Sequence, residues 1–306
     1  MMEEILLVLS DYTFRIVALG TSLLGLMSGV IGSFTTLQKE SLLGDALSHA
    51  ALPGIVIGFL LIGRKEWTFL LTGALISGLL ATFIIQWMNQ GNKVKFDNAL
   101  SLILSSFFGF GLVLMTFAQR SANANQAGLE NFIYGQASAM LIRDVQILMI
   151  ATIIGISLII IFWKELKIFV FDPQYTKTLG FNTKFIRFLI SMIMVVTIIL
   201  GLESVGVILM SALLVGPAVA ARQWTNRLGL MVALSGIFGM VSGFTGTLIS
   251  SMFAQIPTGP TIVVVLSIII FISLLLAPQR GILATKREHR LRKKEYSKVL
   301  EKNITR

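Results

Sequence analysis

The chain is divided into nine apolar stretches, at 13–35, 41–62, 67–88, 98–119, 142–163, 185–202, 204–221, 229–252 and 260–277. Each is close to the ~20 residues that an α-helix needs to cross hydrocarbon. No water reaches a bilayer core to satisfy backbone polar groups, and strand-like alternation is absent, so this pattern predicts an all-α polytopic membrane protein. Composition agrees, with 55% apolar and 13% charged residues and a mean hydropathy of +0.84, far from a soluble domain. About eight or nine transmembrane helices are expected, with ten as the upper bound. The least defined region is 185–221, where Gly201 and Glu203 interrupt one apolar run that reads either as two crossings or as one crossing with a re-entrant segment.

Charge orients the chain. With nine crossings and a cytoplasmic C-terminus, the loops near 39, 89–97, 164–187 and 222–228 lie inside with the tail, and 20 of the 25 Lys and Arg fall there, the asymmetry that cytoplasmic loops carry. Residues 1–280 read as one transmembrane domain and 281–306 as a basic cytoplasmic tail. Much of the net charge of +10 is that tail, since Lys286–Arg306 holds nine basic and three acidic residues. A juxtamembrane run of this kind reads as an anchor on anionic membrane lipid, not as a nucleic-acid site. With no cysteine, disulfides and thiolate metal ligands are excluded. The acidic start MMEE lacks a basic n-region, so no cleavable signal peptide is expected. Phosphate-loop, HExxH and GxSxG motifs are missing, so the chain is not expected to be an enzyme, and any ATP hydrolysis belongs to a separate subunit.

The segment Leu42–Gly54, LLGDALSHAALPG, places a carboxylate and an imidazole inside a predicted span. Ionisable groups within a span are costly and point to function. Asp45 and His49, four residues apart, share one helical face and can hold one ligand together. Pro53 cannot donate to the carbonyl of His49, which predicts a kink and a freed oxygen there. Ser41, Gly44, Ala46, Ser48, Ala50 and Ala51 mark a close helix contact or a cavity wall, so the pair is expected to face inward. An oxygen and a nitrogen donor suit Mn²⁺, Zn²⁺ or Fe²⁺. Two ligands make a weak site, but two chains meeting at this helix would assemble Asp₂His₂. The plainer alternative is a hydrogen-bonded Asp45 and a core histidine.

Outside that motif, Gly216–Leu228 reads as a short helix begun by Pro217 and ending in Arg222, Trp224, Thr225 and Arg227. These are residue types enriched at protein interfaces, and they equally suit a positive-inside loop with an interfacial Trp. Asp172–Gly180 reads as one capped helix. Glu203 is expected at a helix end in water, with guidance of cations as the alternative. Arg143 and Asp144 read as an interfacial pair, and Gly20, Gly25, Gly29 and Gly32 as close helix packing.

GSFTTLQKESLLGDALSHAALPGIVIGFLL at 32–61, FDPQYTKTLGFN at 171–182, VGVILMSALLVGPAVAARQWTNRLGLMVALSG at 205–236 and PTGPTIVVV at 257–265 together resemble the permease subunits of bacterial ABC importers for manganese, zinc or iron. The resemblance implies a type II importer fold in the bacterial cytoplasmic membrane. It also implies a second permease chain, identical or paralogous, a cytoplasmic ATPase on each half and an extracytoplasmic metal-binding protein. On this resemblance Asp45 and His49 become the metal residues, and Pro217, Arg222, Trp224 and Arg227 the ATPase-coupling ledge. The cargo is a transported divalent ion and not a resident cofactor; ARQWTNR is closer to the manganese members. Two other classes compete with this reading: an ion-coupled secondary metal transporter with Asp45 and His49 as relay, which calls for further intramembrane charges, and an intramembrane aspartyl protease, which needs two carboxylates sharing a proton.

Overall fold

A computed structural model describes residues 8–63, 66–89, 94–120, 135–253 and 256–284. Most of the basic tail, along with Arg64, Lys65 and Lys93, lies outside the described residues, as does the side chain of Glu203. Helix α1 spans Tyr12–Leu37, α2 Leu43–Ile62, α3 Trp67–Asn89, α4 Phe96–Arg120, and α5 Ile142–Ile161 after a 3₁₀ turn at Ala137–Ala139. Then come α6 at Trp163–Phe171, α7 at Pro173–Thr178, α8 at Thr183–Val205, α9 at Val207–Trp224, α10 at Leu228–Met252 and α11 at Thr258–Leu276. No strand occurs among the described residues.

The caps follow local chemistry. Asp11 accepts the Phe14 amide at the start of α1 at 2.9 Å, and Asn182 accepts those of Lys184 and Phe185 at the start of α8. Asp172 accepts from Gln174 and Tyr175 with Pro173 in the first turn of α7, and Gly180 follows at φ 84°. This bears out the capped helix expected there. The interruption in the 185–221 run falls at Gly206, with φ 87°, and not at Gly201 or Glu203, which lie inside α8. Gly206, with no Cβ, takes at little steric cost the positive-φ, extended conformation (ψ 164°) that separates α8 from α9.

Among the described residues, eight helices are long and apolar enough to cross a membrane: α1 to α5, α8, α10 and α11. Helix α9 lies beside α11. At one end Gly259 of α11 abuts Val205 and Leu209, in the middle Gly216 abuts Leu266 and Ile270, and at the other end Trp224 donates to Ser273 at 3.0 Å. The two helices therefore run parallel through the same thickness.

Helices α1 and α10 are the most intimate pair. A Cβ on Gly25 would strike the Gly239 carbonyl, and one on Gly29 the Ser235 carbonyl. Ser235 Oγ donates to the Gly29 carbonyl at 2.6 Å, and Thr21 bonds to Thr247 at 2.9 Å. Gly32 meets the Leu214 backbone of α9, and Gly20 meets Met140. Gly25, Gly29 and Gly32 thus pack helices closely, as small residues do in membranes, while Gly20 accommodates a side chain that precedes α5. Around this pair a core of Leu24, Ile31, Phe34, Met194, Ile198, Leu202 and Met210 is fully buried.

One expectation is corrected. Pro217 does not begin a ledge helix, because it lies inside the continuous helix α9. Its neighbours Gly216, Ala218, Ala220 and Ala221 are small, and Ala218, Ala220 and Ala221 are fully buried. Tight packing against adjacent helices tolerates the lost donor.

Candidate metal-transit site

Asp45 lies in the first turn of α2 and His49 one turn further on. Although near a helix end, they are deep in the bundle, because α2 starts inside it. Gly44 abuts Met194, midway along α8, and Leu214, midway along α9. The His49 ring meets Phe108, midway along α4, edge to face at 4.6 Å between centroids. The residues that lead in, Gln38 to Leu42, are held from below: Arg187 Nη1, in the first turns of α8, donates to Glu40 Oε1 at 2.8 Å, and its guanidinium sits over Phe169 at 5.5 Å. Burial pushes the Glu40 carboxyl above the usual carboxylate range, and the charge and hydrogen bond of Arg187 offset only part of that.

His49 Nε2 stands 3.6 Å from Asp45 Oδ1, too far for a hydrogen bond. Two donors each ~2.1 Å from one ion lie roughly 3.0–3.4 Å apart along a polyhedral edge, so the pair is pre-spaced to within a few tenths of an ångström. Nδ1 of His49 is buried with no hydrogen-bond partner. Small residues bring α2 this close to its neighbours: Gly54 and Gly73 of α3 meet backbone to backbone, and Ser77 Oγ donates to the Ala50 carbonyl at 2.6 Å. Pro53 is accommodated within a continuous α2, its ring against Gly111 of α4.

The pair is turned only partly into the single chain. Leu42, Asp45 and His49 form the open stripe of the first half of α2, with Asp45 35% and His49 16% exposed while Leu43, Gly44, Ala46, Leu47 and Ser48 are buried. Among the described residues no group of three or more His, Asp or Glu could hold a metal ion. A single chain therefore offers two candidate donors and an open side. A cavity of about 720 Å³ between α2, α3 and α4 begins at Pro53, one turn beyond His49, and no ionisable side chain lines it. It offers a cation no stepping stones.

The coupling candidates gather at the end of the bundle shared by Glu40 and Arg187. Arg222 is half-buried in the last turn of α9; Trp224 is tied inward to Ser273, and buried Thr225 accepts the Arg227 amide at 3.1 Å. Arg227 and Asn226 are exposed. Arg280 braces this corner, its amide reaching the Gln223 carbonyl at 3.3 Å and its Nη2 the Asn226 Oδ1 at 3.0 Å. Arg143 sits over Trp67 at 5.3 Å, while Asp144 accepts the Leu141 amide at 2.8 Å, so the two serve separate local contacts. Sequence reading missed Glu40–Arg187, Phe108 and Arg280. Only the first left a signal, a carboxylate just ahead of an apolar span.

Known proteins carry the same architecture. The chain is 46% identical over 282 residues to the zinc transport system membrane protein TroC of Treponema pallidum, covering 92% of this chain and 95% of that one. It is 40% identical over 284 residues to the manganese transport system membrane protein MntC of Bacillus subtilis, covering 93% and 65%. Against the manganese import system permease protein ScaB of Streptococcus gordonii the identity is 31% over 287 residues, covering 94% and 99%. The solved structure of PsaBC from Streptococcus pneumoniae in complex with Fab superposes with a TM-score of 0.81 at 30% identity, over 94% of this chain and all of that one. With residues 10–277 matching its sequence profile, this multi-pass membrane protein belongs to the ABC 3 transport family.

Proposed function

We propose that the chain is the permease of an ATP-driven importer of divalent transition-metal ions, manganese first among them, and that the ion crosses at Asp45 and His49. The observation that carries this reading is an oxygen–nitrogen pair at mid-bundle depth, spaced for one ion and left open on one side. A second copy related by a two-fold axis along α2 would close that side and complete a four-ligand Asp₂His₂ cage. Manganese as cargo draws on the names of the MntC and ScaB relatives, and zinc on that of TroC. Carboxylate and imidazole serve both, and affinity alone favours zinc, so selectivity for manganese falls to delivery by an extracytoplasmic binding protein.

A separate ATPase would engage Arg222 to Arg227. Through Trp224–Ser273 and Arg280 its movement would reach α9 and α11, and through Leu214 the start of α2. In this mechanism the binding protein docks outside and releases the ion to the cage while the inner side is closed. Closure of the ATPases then shifts access across the site. The C-terminus and the Glu40–Arg187 end face the cytoplasm in this arrangement, as the charge asymmetry implies.

Uptake of radiolabelled Mn²⁺ by cells carrying the permease, its ATPase and its binding protein separates ATP-driven from ion-coupled transport. Loss of uptake with a hydrolysis-deficient ATPase, and persistence when a protonophore collapses the proton gradient while ATP is maintained, is expected. The opposite pair of results would establish the ion-coupled reading instead.

A further inference from the structure

A second polar site lies at the Glu40–Arg187 end of the bundle. There a cavity of about 280 Å³, several times the ~30 Å³ of a water molecule, opens between the end of α3, the start of α4 and helices α6 to α8. Lys177, Lys184 and Arg187 converge on it with the amides of Gln86 and Asn89 and the ring of Phe96, and no carboxylate lines it. Two of the acids on the flanking segments are already engaged. Glu40 takes one nitrogen of Arg187, and Asp172 caps α7 by accepting from Gln174 and Tyr175 at 2.9 Å. Lys177 and Lys184 are exposed and form no ion pair among the described residues. Three cationic side chains thus line the cavity, and the one ion pair they form among the described residues is Arg187–Glu40.

The surroundings place the cavity at the membrane boundary. Phe83 and Trp87 of α3, flanking Gln86, are 70% and 65% exposed, and Phe185 and Phe188 of α8, flanking Arg187, are also exposed. Tryptophan in this position marks the lipid–water interface. Apolar side chains able to lie along acyl chains thus run up to a pocket of cations and amide donors. Basic pockets between membrane helices suit anionic headgroups.

We propose that this cavity binds the phosphodiester headgroup of an anionic glycerophospholipid, with Lys177 and Lys184 on the phosphate oxygens and the acyl chains along α3 and α8. A lipid seated there would join α3 and α4 to the α6–α8 corner. The site is independent of the metal-transit reading and stands or falls separately.

Native mass spectrometry and thermal unfolding of the purified full-length permease, with phosphatidylglycerol or phosphatidylcholine added to detergent micelles, test it. The wild type is expected to retain phosphatidylglycerol and gain thermal stability over the phosphatidylcholine sample. Lys177→Gln/Lys184→Gln should weaken retention about 30-fold, the equivalent of ~1 kcal/mol for each charge removed. Lys164→Gln/Lys167→Gln, which removes two charges from α6 outside the cavity, should leave it unchanged. Equal losses in both double variants would reduce the effect to general surface charge and overturn the site. Stabilisation by inorganic phosphate to the same extent would make it a soluble-anion site. Unaltered lipid retention with lost ATPase association in the Lys177/Lys184 variant would make it a protein interface; both results overturn the proposal.

Discussion

At the scale of single residues, chemistry and position are separable. The ionisable pair in LLGDALSH was legible because a carboxylate and an imidazole in an apolar run are costly wherever the run folds. Which way they point was not legible, since the surrounding small residues signal close packing without saying which chain supplies the other surface. The structure puts the small residues against α3, α8 and α9 and leaves Asp45 and His49 on the open stripe. Lys39 shows a second kind of illegibility. It adopts φ 61° where α1 turns into the loop, with the Glu40 amide bonded to the Thr35 carbonyl at 2.9 Å, a helix-ending geometry that usually recruits glycine. Lys39→Gly should therefore raise thermal stability, by about 0.5–1 kcal/mol. A lower melting temperature would mean that the lysine side chain does more than tolerate the turn.

Among the elements, helix existence followed from apolar length, whereas helix boundaries depended on contacts between distant segments. The split at Gly206 uses the positive φ open to glycine, whereas the burial of Pro217 within α9 arises from packing against α11 and α1, which local sequence does not encode. The α1–α10 pair makes a direct test. Gly29→Ala pushes a methyl into the Ser235 carbonyl, and backbone cannot rotate away, so a loss of about 1–3 kcal/mol is expected in detergent unfolding; an unaffected midpoint would show that the two helices are not in that contact. The Glu40–Arg187 pair gives the pH dependence. The raised Glu40 pKa means that the folded chain binds that proton more tightly than the unfolded chain. Stability is therefore greatest below the ordinary carboxylate range and declines as pH rises from that range through the raised value. Glu40→Gln should flatten this decline. Arg187→Ala, which strips a partly buried carboxylate of its partner, should deepen it and cost about 1–3 kcal/mol near neutrality, less than for a fully buried pair because the Arg187 side chain is 31% exposed. A melting curve insensitive to pH in the wild type would contradict the buried-carboxylate account.

For the whole molecule, the sequence carried the membrane architecture and its family, because both are written in long-range repetition of apolar length and in motifs spread from 32 to 265. The proposed transit site is less legible because, on the two-fold reading, one chain would hold only half of it and the other half would lie across an interface that no single-chain pattern reports. Since the chain has no cysteine, Leu42→Cys introduces a single thiol on the open stripe. Oxidation in membranes is expected to link two permease chains through it, while Leu19→Cys, equally exposed at 59% but on α1, should not do so. Failure of Leu42→Cys to cross-link would place the two-fold axis elsewhere. The decisive measurement is uptake of radiolabelled Mn²⁺ and Zn²⁺ in cells with the ATPase and binding protein, comparing wild type with Asp45→Asn and His49→Ala at matched membrane levels. Loss of at least tenfold in both variants, for the same ion, is the predicted result; uptake at the wild-type rate in either variant would contradict passage of the ion between Asp45 and His49.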